Sequence, residues 1–156
     1  FTQFSRTVLQ KWPRLHRGMG FTYVVTLLFV SGPGAFLLSL HANGGVPARA
    51  SFMLLTLLWY AFTVTAMVFA FRGRWNEHGN FMLRSYALTF SAITLRFYAY
   101  MIDWWHLPIK PGEAYVTVAW LSWVPNLLVA ELLIRAGFVK RLFRKNSNTA
   151  LSPAGE

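Results

Sequence analysis

Read for apolar and polar positions, the chain falls into four long apolar stretches, near residues 19–40, 50–71, 81–102 and 114–134. Short runs rich in Gly, Pro, Asn and charge separate them. A helix rising about 1.5 Å per residue needs about 20 residues to cross the ~30 Å hydrocarbon core of a bilayer. Each stretch meets that length, and each is too uniformly apolar for the one-sided stripe of a soluble core helix. The pattern therefore predicts an all-α fold, an integral membrane bundle of four transmembrane helices. The first connection, His41-Ala42-Asn43-Gly44-Gly45-Val46-Pro47, and the second, Arg72 to Asn80, are turns by their Gly, Asn and Pro content. The third, Trp104 to Gly112, adds aromatic anchors and two prolines. Connections this short place successive helices antiparallel and adjacent.

The two ends differ from the middle. Over residues 1–15, Phe1, Phe4, Val8, Leu9 and Trp12 alternate with cations, which predicts an N-terminal amphipathic helix lying at the membrane interface. Pro13 should end or bend that helix before the first span. The chain shows neither a cleavable-signal pattern nor an initiator Met, so a longer natural N-terminal part is expected. Residues 16–138 form the four-helix domain, and 139–156 read as a basic, then disordered, tail.

Composition sharpens this picture. Hydrophobic residues make up 55% of the chain and charged ones 13%, against about a quarter in a soluble domain. Seven Trp, six Tyr and fourteen Phe suit a perimeter that meets the lipid bilayer, with lipids or pigments as possible partners at the aromatic outer surface. The absence of Cys excludes disulfides and thiolate metal sites, leaving His, Met and oxygen as ligands.

A net charge of +10 would point to nucleic acid in a soluble protein, but its placement argues otherwise. Arg6, Lys11, Arg14 and Arg17 precede the first span, and Arg72, Arg74 and Arg84 surround the second connection. Arg135, Lys140, Arg141, Arg144 and Lys145 end or follow the fourth span, whereas only Arg49 and Lys110 lie in the other two connections. Retention of Lys and Arg on the cytoplasmic side predicts a bacterial inner membrane protein with both ends and the middle loop cytoplasmic. The Lys140–Lys145 segment then lies on anionic headgroups, and no nucleic-acid partner is implied.

Within the spans the unusual residues are informative. Ser31-Gly32-Pro33-Gly34 falls mid-way along the first, where Pro33 cannot donate a backbone hydrogen bond. It reads as a packing kink, or as room made for a ring-shaped cofactor or quinone. Arg96 lies deep in the third span, about 18 Å along the helix from Arg84, and needs a partner or water. The nearer anion along its own helix is Asp103; a haem propionate, a lipid phosphate or a quinone carbonyl would serve as well. Glu131 stands four residues before Arg135, an internal ion-pair spacing, and by depth it also suits Arg84.

The four histidines sit at the helix ends, His16 and His78 on the inner side, His41 and His106 on the outer. Two His at one depth on different helices can ligate a haem b iron, which makes His16 and His78 candidate axial ligands and His41 with His106 a second pair. Arg84 and Arg96 would then face propionates. Interfacial His is equally an ordinary anchor. No hydrolase, transferase or phosphate-loop motif is present, and a single carboxylate well inside a span gives little support to a pump or channel.

These segments resemble the prokaryotic membrane-protein family catalogued as domain of unknown function 2306. Leu15-His16-Arg17-Gly18, Leu40-His41-Ala42-Asn43-Gly44-Gly45, the run from His78 through Met82-Leu83-Arg84-Ser85-Tyr86-Ala87-Leu88-Thr89-Phe90, Thr94-Leu95-Arg96, and Trp123 through Glu131 carry the likeness. It implies a helical membrane bundle and draws attention to His16, His41, His78, Arg84, Arg96, Asn126 and Glu131. It implies no reaction. The family tends to place basic residues after the His of the second connection, where this chain has Gly79-Asn80. Two functions follow as expectations: a non-catalytic accessory or assembly subunit of a respiratory or photosynthetic membrane complex, bound to other membrane-protein subunits, or a haem b or quinone-binding electron-transfer protein.

Overall fold

A computed structural model describes residues 12–106 and 108–143. The predicted interfacial helix over 1–15 lies almost wholly outside them, as does the tail beyond residue 143. The described residues are helical, with no strand among them. The first rod is α1 (Pro13–Thr26), a π-helical turn (Leu27–Ser31) and α2 (Gly32–Leu40) in continuous succession. It is followed by α3 (Gly45–Phe71), α4 (Trp75–Trp104), α5 (Pro111–Leu121), α6 (Val124–Arg135) and a short α7 (Phe138–Phe143). Pro13 opens α1, the position where its missing N–H is harmless.

Three units are long and apolar enough to cross a membrane: Arg14–Leu40, Gly45–Phe71 and Pro111–Arg135. Helix α4 is longer still, about 45 Å, but does not reach their apolarity. It packs against α3, α5, α6 and α7 and buries Ser85 and Ser91, while Arg96 and Asp103 stay exposed.

The first rod shows how a proline is accommodated. The Gly32 N–H reaches back five residues to the Leu27 carbonyl, which defines the π turn. Pro33 cannot repeat that bond to Leu28, so the Leu28 carbonyl is freed, and the Tyr60 hydroxyl of α3 donates to it at 2.7 Å. Gly32 makes this possible, because a Cβ there would overlap the Tyr60 ring. Of the two readings of Ser31–Gly34, the space and the carbonyl are thus taken up by a neighbouring helix.

The last apolar stretch is continuous in the pattern of the sequence yet broken in the structure, at Ser122 and Trp123 between α5 and α6. Pro125 removes the N–H that would bond the Leu121 carbonyl. Side chains occupy the carbonyls around the break. Ser51 and Ser122 hydroxyls donate to the Ala119 carbonyl, and Thr94 and Asn126 donate to that of Ser122. Gly44, in the left-handed region at φ +89°, lets the first connection close against Tyr115, whose ring would lie 2.8 Å from any Cβ added there.

Small and hydroxyl side chains, Ala48, Ser51, Thr63, Ala66, Ser85, Ala119 and Ser122, are buried alongside Leu27, Leu88, Val118 and Trp123. Many other large apolar side chains face outward, with Phe29, Leu38 and Phe71 at least three-quarters exposed. Such a surface suits lipid, where close backbone approach and interhelical hydrogen bonds help hold helices together. Past Gly137, α7 folds back against α4 and α6 and buries Val139, so the basic segment begins as part of the bundle.

Candidate functional site

Two hydroxyl networks set the frame. In one, the Tyr23 hydroxyl pairs with Ser85 and Thr89 at 2.8 Å each, Trp59 Nε1 donates to Thr89 at 3.0 Å, and Thr63 pairs with Ser85 at 2.7 Å. These bonds tie α1, α3 and α4. In the other, Trp123 Nε1 donates to Ser51 at 3.0 Å, and Asn126 Nδ2 to Thr94 at 2.8 Å, which tie α3 and α4 to the break between α5 and α6. Among the family-matched residues Asn126 is therefore a stitch across the break. Sequence reading missed both networks, although hydroxyl and Trp side chains recurring at helical spacing, such as Trp59 with Thr63 and Ser85 with Thr89, were the available signal.

Arg84 is closed. Its Nε and Nη2 donate to the two carboxylate oxygens of Glu131 on α6 at 2.9 and 2.8 Å. Its guanidinium carbon also lies 4.9 Å from the centre of the Phe81 ring and 6.0 Å from that of Phe62. A bidentate fork of this kind holds both planes. Glu131 thus pairs between helices; Arg135, four residues on, adds only a more distant attraction. Committed in this way, Arg84 is not free for a propionate.

Arg96 is open. It is exposed on α4, and Nη1 donates to the carbonyl of Ala92 at 2.7 Å, its one hydrogen bond among the described residues. The side chain therefore turns back along the helix, away from Asp103, which lies two turns beyond it in the opposite direction. The guanidinium borders a cleft of about 200 Å³ that enters between the helices. Ala35 of α2, Phe52 and Trp59 of α3, and Leu88 and Ala92 of α4 line it, and Arg96 is the one charged residue on its walls. Asp103 and His106 instead share a wider hollow of about 390 Å³ at the far end of α4.

The histidines divide by end. His16 and His78 come close enough for their charges to interact. His78 Nδ1 donates to the Ala66 carbonyl at 2.9 Å, which leaves Nε2 for another partner, while His16 Nδ1 is buried without a hydrogen bond among the described residues. His41 and His106 are exposed, and each donates from Nδ1 to a carbonyl near its own helix end, Leu37 and Trp104 respectively. No group of three or more His, Asp or Glu able to hold a metal ion occurs among the described residues.

Comparison with curated proteins and with solved structures finds no match. An outward-facing apolar surface and three helices of spanning length agree with the family whose model the chain matches over residues 1–134, described as Predicted membrane protein (DUF2306). The chain belongs to that family of membrane proteins.

Proposed function

We propose that this protein crosses a bacterial inner membrane four times, α4 being the third span, with its basic ends cytoplasmic, and serves as a non-catalytic accessory or assembly subunit of a larger respiratory or photosynthetic complex. Arg96 carries this reading. Within lipid a cation requires a counter-group, and this chain offers Arg96 a backbone carbonyl alone among the described residues. Another component of a membrane assembly completes it. The test is mild-detergent recovery of the tagged chain from its native membrane as wild type, Arg96→Lys and Arg96→Leu. A defined set of partners should accompany the first two and be lost from the third, with thermal unfolding of the chain itself unchanged. Recovery of the same partners with Arg96→Leu would sink the proposal.

A second reading, a b-type haem electron carrier, is favoured by the Nε2 of His78, left over by its bond to Ala66, and the unpartnered Nδ1 of His16 among the described residues. A reduced-minus-oxidised absorption spectrum with haemochrome quantification decides it. An α-band that disappears on His78→Ala supports ligation, and a featureless spectrum from folded protein removes it.

A further inference from the structure

We infer that the Arg96 cleft binds a neutral, lipid-soluble ring bearing carbonyl acceptors, a quinone-class molecule whose tail leaves between the helices. This rests on the reading that Arg96 is completed from outside the chain, and it names what completes it. Depth is the first support. Arg96 lies eight residues, about 12 Å, from Trp104 at the end of α4, and its bond to Ala92 points the guanidinium further inward. With a hydrocarbon core ~30 Å thick, that position is near the middle of the membrane, out of reach of headgroup phosphates.

The shape and chemistry of the walls narrow the occupant. A cavity of about 200 Å³ suits a single substituted ring, given that benzene occupies an engineered site of about 150 Å³. It is too small for a porphyrin. Most of the polar groups on its walls direct their protons elsewhere: Trp59 Nε1 to Thr89 and Tyr23, the Thr56 hydroxyl to the Phe52 carbonyl, and the Ser122 hydroxyl to the Ala119 carbonyl. What these residues offer the cleft is apolar surface and an aromatic face. Arg96 brings the charged donors, and a guanidinium has five, of which the Ala92 carbonyl takes one; the Ser91 hydroxyl adds one more. An occupant therefore needs an acceptor at one edge and apolar surface elsewhere. A carboxylate would meet the charge but must first lose its hydration, a far larger cost than desolvating a ring carbonyl.

The test is photoaffinity labelling of the detergent-purified chain with an azido-benzoquinone carrying a short alkyl tail, followed by peptide mapping. Labelling should saturate, be competed by the unlabelled benzoquinone, and map to residues 52–59 and 88–96. Ala92→Phe, which fills the cleft without removing the Ala92 carbonyl, should lower the competed label about tenfold at unchanged thermal unfolding. Arg96→Leu should raise the half-saturating concentration about tenfold, and Arg96→Lys should restore part of it. If Ala92→Phe fails to fold, Ala35→Phe fills the cleft from the opposite wall. Labelling that never saturates, spreads along the lipid-facing perimeter or survives both substitutions overturns the inference. Loss of protein partners on Arg96→Leu with no saturable labelling overturns it too, and leaves the accessory-subunit reading standing. Saturable labelling with partners unchanged by Arg96→Leu does the reverse.

Discussion

Arg84 and Arg96 stand on the same helix, twelve residues apart, and the chain treats them in opposite ways. Arg84 meets a carboxylate with both prongs of its guanidinium and lies against two Phe rings. Arg96, exposed at the edge of a cleft, meets a carbonyl of its own helix. One charge is part of how the bundle holds itself together; the other meets only a carbonyl of its own helix among the described residues. The difference shows that depth in the membrane does not by itself say whether a charge is structural. The partner list does.

The sharpest break of this comparison is Glu131→Leu. It leaves Arg84 charged and unpaired among α3, α4 and α6, and should cost about 3 kcal/mol, the low end for a broken buried pair because Glu131 is 37% exposed. Thermal unfolding in detergent measures it. Adding Arg84→Leu should restore most of the loss, since an apolar pair needs no counter-charge. A double variant as unstable as the single would mean that Arg84 has a structural role beyond Glu131.

Much of the fold was legible in the sequence, and the reasons for the shortfall are local. Spans of spanning length follow from apolar runs that no soluble helix needs, and Gly44-Gly45 marks the first turn. The break at Ser122–Trp123 was hidden because Pro125 lies in a run that is apolar on both sides, and hydropathy does not register a missing N–H. The Arg84–Glu131 pair was legible only as one choice of two, because Glu131 also stands four residues from Arg135, and only the packing of α4 against α6 decides between them. For Arg96, sequence separation pointed to Asp103, whereas the rotamer points the other way. A one-dimensional reading locates a charge along a helix but not the direction in which its side chain leaves.

The π turn of the first rod gives the next largest effect. Tyr60→Phe removes the donor to the Leu28 carbonyl, freed by Pro33, and should destabilise the bundle by about 1–2 kcal/mol. Gly32→Ala should cost more, because its methyl group displaces the Tyr60 ring and loses the same bond. An unchanged unfolding temperature in Gly32→Ala would mean that the ring can move and that the π turn is not held by this contact. Weaker still is Thr94→Val, which removes one donor from the Ser122 carbonyl and the acceptor for Asn126. Interhelical bonds in membranes average about 0.6 kcal/mol, so a loss of about 1 kcal/mol is expected for the two.

Arg96→Leu should be the mildest of all for the isolated chain, within about 0.5 kcal/mol, the range of an exposed substitution with no partner to strand. The Ala92 carbonyl keeps its place in the helix whether or not a guanidinium rests on it. On the proposed role the order inverts in the native membrane, because the same change removes the cation that another component meets. The two arginines can thus be separated by one pair of experiments: Glu131→Leu weakens the bundle wherever it is measured, and Arg96→Leu is silent alone and disruptive in company. If Arg96→Leu instead lowers the unfolding temperature of the purified chain as much as Glu131→Leu does, Arg96 is a structural charge like Arg84, and what it binds must be sought inside the bundle.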